Sequence, residues 1–402
     1  MADLLSVDAA LAQLLAGTSP LSPETVALVA ARGRVLAADV AARLTQPPFD
    51  ASAMDGYAIR WADLPGPWRL VGEAAAGRGW PGEVGAGEAV RIFTGAPLPA
   101  GADTVVVQEE VAAADGVAGL TGEGPPRLGA HVRRAGHDFT AGALVGRAGE
   151  GLTPARIGLL AAAGHGAVSV VRRPRVALLS TGDELAPPGT LPGPGQIVSS
   201  NGVMLAALLA AAGAEVTDLG IVPDRADALA AALAAARADV ADVIVTVGGA
   251  SVGDHDLVVP VLRSLGARID FWKVAMKPGK PMVAGWLGDS RVIGLPGNPV
   301  SAYVCALLFA VPVLRRLGGR GDGAPIRRLP LAGALPANGA RRDHLRGCVR
   351  NGAVTVTARQ DSAMLASLAA ADVLVVRHPH AAAATSGEIV DCIPLDSIGD
   401  VS

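Results

Sequence analysis

From residue 175 to residue 317 the chain alternates between two hydrophobic rhythms. Short apolar runs at 176–180, 215–221, 243–247, 269–275, 282–286 and 292–295 read as strands. The run at 243–247 is mostly β-branched and is stopped by Gly248 and Gly249, as expected of a strand buried on both faces. Between and after these runs, apolar residues recur with helical period at 202–212, 225–236, 257–265 and 300–317. Strand and helix in alternation predict a doubly wound α/β domain over 175–318.

The pattern before residue 175 is weaker and more varied. Ser6 can cap a helix over 7–15 that Gly17 closes. Ser22-Pro23-Glu24 supplies a cap and an N1 proline, predicting a second helix that ends near Arg32-Gly33. Residues 35–44 read as extended, and Pro47-Pro48 breaks the run. From about 50 to 145 glycine is frequent and Val, Ile and Thr gather in short pieces such as 89–94 and 103–108, a β-rich region. Thr153-Pro154 then opens a helix over 155–163, followed by a strand at 167–171. This return to the earlier pattern predicts an interrupted N-terminal α+β domain, 1–47 and 146–174, with an inserted β-rich domain, 48–145. After a polar, Gly-rich linker at 318–323, short β-like pieces predict a C-terminal β domain, barrel-like, over 324–397. The expected fold class is therefore multidomain α/β plus β.

Composition narrows the function. A chain of 402 residues exceeds what one core usually holds, so two to four domains are expected. The net charge of −3 argues against general nucleic-acid binding. Cys305, Cys348 and Cys392 lie far apart, and no CxxC or HExxH occurs, so neither a disulfide framework nor a structural zinc site is indicated. The first residues carry acids within their apolar pattern and do not read as a signal peptide. No uninterrupted apolar run reads as long enough to span a bilayer, so a cytoplasmic protein with no membrane partner is expected.

Polar residues concentrate at the ends of the predicted α/β elements. Gly248, Gly249, Ser251, Gly253, Asp254, His255 and Asp256 follow one strand. Thr181-Gly182-Asp183-Glu184 follows another, Ser199-Ser200-Asn201 precedes a helix, and Lys277-Pro278-Gly279-Lys280 and Pro296-Gly297-Asn298-Pro299 follow two more strands. Ligands of open α/β sheets bind at the carboxyl ends of the strands. Glycines there allow close approach to the backbone, and helix starts offer N–H groups to anions. Lysines suit phosphate, and Asp and Glu suit Mg²⁺. Each motif also has a plainer reading: Asn298 or Asp254 as a helix cap, Lys277 and Lys280 as surface charges, Asp183 and Glu184 as a solvated turn. In the β-rich block, Asp50, Ser52 and Asp55 sit in a loop of small residues, and Arg91-Ile92-Phe93-Thr94-Gly95-Ala96-Pro97 ends a strand in a polar turn.

Taken together and in order, SAMDGYA, RIFTGAP, LLSTGDEL, VGGASVGD, KPGKP and LPGNPVSA resemble the molybdopterin molybdotransferase family (MoeA and the gephyrin E domain) over about residues 6–395. The resemblance implies insertion of molybdate into adenylylated molybdopterin with Mg²⁺, releasing AMP and molybdenum cofactor. It also implies an elongated homodimer and possible contact with the adenylyltransferase and with recipient molybdoenzymes. Carried over residue by residue, it implies site acids Asp55, Glu184, Asp224 and Asp256, with Thr94, Lys273, Lys277, Pro296, Pro299 and Ser362 also at the site. On this reading Lys273, Lys277 and Lys280 neutralise phosphates, while Glu184, Asp256 and Asp224 hold Mg²⁺ or position molybdate. Gly182, Asp183, Gly248, Gly249, Ser251, Gly253 and Asn298 join the substrate-binding set. Asp55, in the inserted domain, is expected to act in trans on a site shared between subunits. Two departures from the family pattern stand out: Ala51 where members often have Asn, and Ser199 where many have Asp. Two other readings remain: a molybdopterin adenylyltransferase, and a gephyrin-like dimeric scaffold.

Overall fold

The computed structural model describes residues 4–249, 257–321, 323 and 325–396. The chain divides into two compact units. One contains Met1–Ala38, Ala148–Thr153 and Ser169–Ser402, and the other Asp39–Arg147 and Pro154–Val168.

The larger unit is built on a six-stranded sheet. Its order is Glu215–Val222, Arg175–Thr181, Val243–Val247, Ser290–Leu295, Pro281–Leu287 and Arg268–Lys273. The first four strands run parallel, and the last two add antiparallel at one edge. Alternate residues of each central strand serve opposite faces. Val176, Leu178, Val243 and Val245 pack with Leu205, Leu208 and Leu209 of the helix Ser200–Ala211 and with the helical segment from Pro299 to Leu317. Ala177, Leu179 and Ile244 pack with Leu229 and Leu233 of the helix Ala226–Ala238 and with Val258, Val261 and Leu262. The doubly wound α/β architecture follows directly: each face of the sheet has its own helix-covered core.

The helix Pro299–Leu317 is long and apolar enough to cross a membrane by length and composition, although no single sequence run had suggested it. It is 83% buried within the unit, which accounts for its apolar character. It widens to a π turn over Ala306–Ala310 just before Pro312, whose missing N–H cannot bond back along the helix. A second sheet, C-terminal in sequence, joins Arg342–Arg350, Val373–Arg377, Ile389–Pro394 and Arg327–Pro330 around Leu331, Val354, Val375 and Cys392. The short strand Met276–Lys277 pairs with it in parallel at Arg342 and Asp343.

One expected element is different. Residues 23–32 form no α-helix; they form the strand Pro23–Ala27 and a 3-10 turn, Leu28–Ala30. The strand pairs with Ala167–Val171. The N-cap and N1-proline signal of Ser22-Pro23 was real local chemistry, but tertiary pairing outweighed it, as sheet partners commonly do for segments this short.

The smaller unit carries a six-stranded sheet ordered Thr104–Val107, Gly56–Ile59, Glu88–Ile92, Trp68–Ala74, Val117–Leu120 and Val111–Ala114. Tyr57, Ile59 and Val106 fill one face with Trp68, while Ala58, Val90 and Val105 fill the other with Ala74.

Candidate functional site

The carboxyl ends of the parallel strands surround a cavity of about 590 Å³. Each strand delivers its next few residues to the wall. Thr181 ends one strand and leads to Glu184, Asp224 follows the edge strand, and Gly248 and Gly249 follow the central strand. Pro296, Gly297, Asn298 and Pro299 come from the turn after Ser290–Leu295, and Ser199, Ser200 and Asn201 from the start of a helix.

Close backbone approach shapes this wall. Gly248 and Gly249 have φ of +92° and +60°, a region that favours glycine. A Cβ on Gly248 would come 3.0 Å from Thr181 Oγ1, and one on Gly249 would come 2.8 Å from Val258 Cγ2. The Gly248 N–H donates to the Leu295 carbonyl at 3.1 Å, tying two strand-end turns together. A Cβ on Gly182 would collide with the Glu184 carboxylate, which folds back over that glycine. The Asp183 carboxylate accepts the Asp224 N–H at 3.1 Å, so these two turns are coupled as well.

Two cavity-lining oxygens lack partners. Thr181 Oγ1 and Asn201 Oδ1 are buried and accept or donate no hydrogen bond. The Asn201 amide donates from Nδ2 to the Gly297 carbonyl at 2.6 Å, which fixes its orientation and leaves Oδ1 unused. Buried polar atoms without partners are uncommon and costly, and they mark places where a ligand or ion can complete the bonding. Asn298 stands at the N-cap position of the helix beginning at Pro299 but makes no side-chain cap bond. Its Nδ2 donates instead to Ser362 Oγ at 3.1 Å, and the Val300 N–H donates to the Ser362 carbonyl at 3.0 Å. The plain capping reading of Asn298 does not hold, and Ser362 is brought to the helix start.

The lysines lie elsewhere. Lys277 lines a different groove of about 770 Å³ with Asn338, Arg341, Gln360 and Arg377, and its Nζ is 3.9 Å from Asp343. Burial pushes the Asp343 carboxyl up, partly offset by Lys277 and Arg341. Lys273 Nζ stands 5.8 Å from the Trp272 ring, and the Lys280 carbonyl accepts the Val274 N–H at 3.0 Å. All three lysine side chains are exposed, and none lines the strand-end cavity among the described residues. Ser251, Gly253 and Asp256, with Asp254 and His255, lie outside the described residues.

In the smaller unit, Asp55 and Thr94 meet. Asp55 Oδ1 accepts the Thr94 N–H and the Thr94 hydroxyl, both at 2.8 Å. These bonds, the backbone one foremost, hold the Asp55 carboxyl below the usual carboxylate range. Antiparallel pairing explains the meeting: Gly56 lies opposite Ile92, so the residue before one and the turn after the other leave the same end of the sheet. Sequence reasoning named both residues, placed Arg91 only in the turn motif and did not single out Gln108; the cross-strand register that joins these residues is a tertiary fact.

A doubly wound sheet with an oxygen-lined cavity at its strand ends, a β-rich sheet before it in sequence and a second sheet after it define a multidomain α/β protein. Family models match along the chain. Residues 5–164 match the MoeA N-terminal region (domain I and II), 177–316 a probable molybdopterin binding domain, and 328–395 the MoeA C-terminal region (domain IV). The chain is 39% identical over 321 residues to a molybdopterin molybdenumtransferase of Haemophilus influenzae, covering 79% of this chain and 78% of that one. It is 42% identical over 311 residues to the protein of that name from Nostoc sp., covering 75% and 70%. A solved structure of the molybdopterin biosynthesis MoeA protein of Pyrococcus horikoshii matches with a TM-score of 0.82 at 31% identity, covering 98% of this chain and 99% of that one. The chain belongs to the MoeA family.

Proposed function

We propose that this chain is a molybdopterin molybdenumtransferase, a transferase of molybdenum cofactor biosynthesis that inserts molybdate into adenylylated molybdopterin and releases AMP. The observation that carries this reading is the strand-end cavity, where Glu184 and Asp224 stand with the partnerless Thr181 Oγ1 and Asn201 Oδ1. Relatives bearing that name match most of the chain's length and supply the substrate class.

The donor set fits Mg²⁺. The cavity offers carboxylate, hydroxyl and amide oxygens, the ligand type this ion prefers when substrate phosphates complete its shell. Glu184 and Asp224 would hold it, with Asp256 as a third acid. When bound, the ion polarises the phosphoanhydride.

The protein's own part is positioning. Gly248 and Gly249 admit the ligand close to the backbone, and the helix start at Ser200 offers N–H groups to anionic oxygens. Asp55 contributes a carboxylate that Thr94 orients and holds below the usual carboxylate range. Asp55 and Thr94 belong to a different compact unit from Glu184 and Asp224. The reading includes a homodimer in which Asp55 serves the partner's site, with two-fold symmetry giving two equivalent sites. A cytoplasmic location fits a cofactor-building transferase.

The test is direct. Purified full-length protein with adenylylated molybdopterin should release AMP only when molybdate and Mg²⁺ are both present. Tight nucleotide binding without AMP release under those conditions would overturn the reading. Mixed dimers of Asp55→Asn and Glu184→Gln chains should regain activity, since one site carries both lesions and the other neither. Recovery absent from confirmed mixed dimers would refute the shared site.

A further inference from the structure

Arg91 lies in the strand Glu88–Ile92, directly opposite Tyr57 of the strand Gly56–Ile59. Its guanidinium carbon is 4.9 Å from the Tyr57 ring centroid and 5.0 Å from that of Phe93, so it sits against both rings. Arg91 Nη1 donates to the Gly56 carbonyl at 3.1 Å, and Nη2 donates to Gln108 Oε1 at 2.5 Å. The Gln108 N–H in turn donates to the Asp55 carbonyl at 3.0 Å.

These contacts converge on one residue. Gly56 follows Asp55 directly, and the Gln108 N–H holds the Asp55 carbonyl; the guanidinium therefore binds the main chain just after Asp55 directly, at the Gly56 carbonyl, and supports the Asp55 carbonyl through Gln108. Phe93, against which the same guanidinium lies, immediately precedes Thr94, the residue that occupies Asp55 Oδ1. Asp55 Oδ2 takes no hydrogen bond among the described residues and is left available. Only a planar, multi-donor cation can lie against two rings and still serve two acceptors in different directions. The Gly56 backbone packs tightly on the neighbouring strand: a Cβ there would collide with the Val106 carbonyl.

We propose that Arg91 is a positioning residue for the transfer reaction: it locks the Asp55 and Thr94 turns together, so that the free oxygen of Asp55 is presented in one orientation. The proposal rests on the reading of Asp55 as a carboxylate of the reacting site.

The experiment is a double-mutant cycle on full-length protein, read as kcat/KM for AMP release from adenylylated molybdopterin, with Tm measured alongside. Arg91→Met should lower kcat/KM by about tenfold to a hundredfold, the scale of losing the placement of one reacting group. Arg91→Lys keeps the charge but not the fork and should recover only part of the loss. In an Asp55→Asn background, Arg91→Met should have almost no further effect, because Arg91 acts through Asp55. Additive losses would overturn the proposal and leave Arg91 a general support of the sheet. A wild-type rate for Arg91→Met or Arg91→Lys, beside an impaired Asp55→Asn, would overturn it while leaving the role of Asp55 intact. A wild-type rate for Asp55→Asn would overturn both.

Discussion

At the strand ends of the α/β sheet, Thr181 Oγ1 and Asn201 Oδ1 are buried without partners. In the inserted sheet, by contrast, the Asp55 carboxylate already takes two hydrogen bonds from Thr94, and its main chain is held by Gln108 and, through Gly56, by Arg91. The first region rests on four parallel strands whose rigid ends bring polar groups close without satisfying them. The second rests on exposed turns that would wander unless their functional groups bonded one another. The contrast shows two ways to preorganise chemistry. A buried wall can leave bonds unmade for a ligand to complete, at a cost to the free protein. An exposed turn must spend some of its bonding capacity on holding its own shape.

The largest effect should come from the cavity acids. Glu184→Gln should lower kcat/KM for AMP release by roughly a hundredfold or more, as expected for loss of a group that stabilises developing charge, with Tm nearly unchanged. A wild-type rate would break the assignment of the strand-end cavity. Gly248→Ala comes next. Its φ and the nearness of Thr181 should cost about 1–3 kcal/mol of stability, read by denaturant unfolding. An unchanged midpoint would mean the turn can move and the wall is not rigid.

Two hydroxyl removals sharpen the comparison because they should differ in sign for the free protein. Thr181→Val removes a buried hydroxyl that has no partner, so the free protein should be unchanged or stabilised, by about 1 kcal/mol at most. Ligand binding should weaken by about tenfold if the ligand uses that oxygen, and calorimetric titration with adenylylated molybdopterin checks this. Thr94→Val instead removes one of two bonds to Asp55 while sparing the backbone one. Asp55 is held below its ordinary value in the folded protein, so the change should raise it and move the acid limb of the pH–rate profile upward. The stabilisation linked to the depressed value is present at neutral pH and is lost as pH falls through the folded value, so the variant should lose it at a higher pH. The rate at neutral pH should fall only a fewfold, since the backbone bond remains. An acid limb that stays in place would mean that Asp55 does not govern it.

Much of the larger unit could be read along the chain. The β-branched run at Val243–Val247 and the glycines after it are local signals, and so are the helical periods on either side. Their alternation defines a doubly wound domain whatever the neighbours do, because each strand must bury both faces. The polar groups at the element ends, Thr181 and Glu184, Asn201, Gly248 to Gly249 and Pro296 to Pro299, followed from the same rhythm and do line one cavity.

What needed the folded structure were the relations between distant segments. Pro23–Ala27 became a strand because Ala167–Val171 offers it a partner far along the chain. Asn298 turned from capping its helix to binding Ser362, and Lys277 followed Met276 onto the edge of the second sheet beside Asp343. Arg91 reads in sequence as one more basic residue in a turn motif; its hold on the Gly56 carbonyl beside Asp55 exists only through the Tyr57–Arg91 register. Periodicity and turn chemistry act over a few residues, so they specify elements and their ends. Partner choice for a buried or bridging polar group depends on which segments the fold places within hydrogen-bond reach, and that distance is not written along the chain.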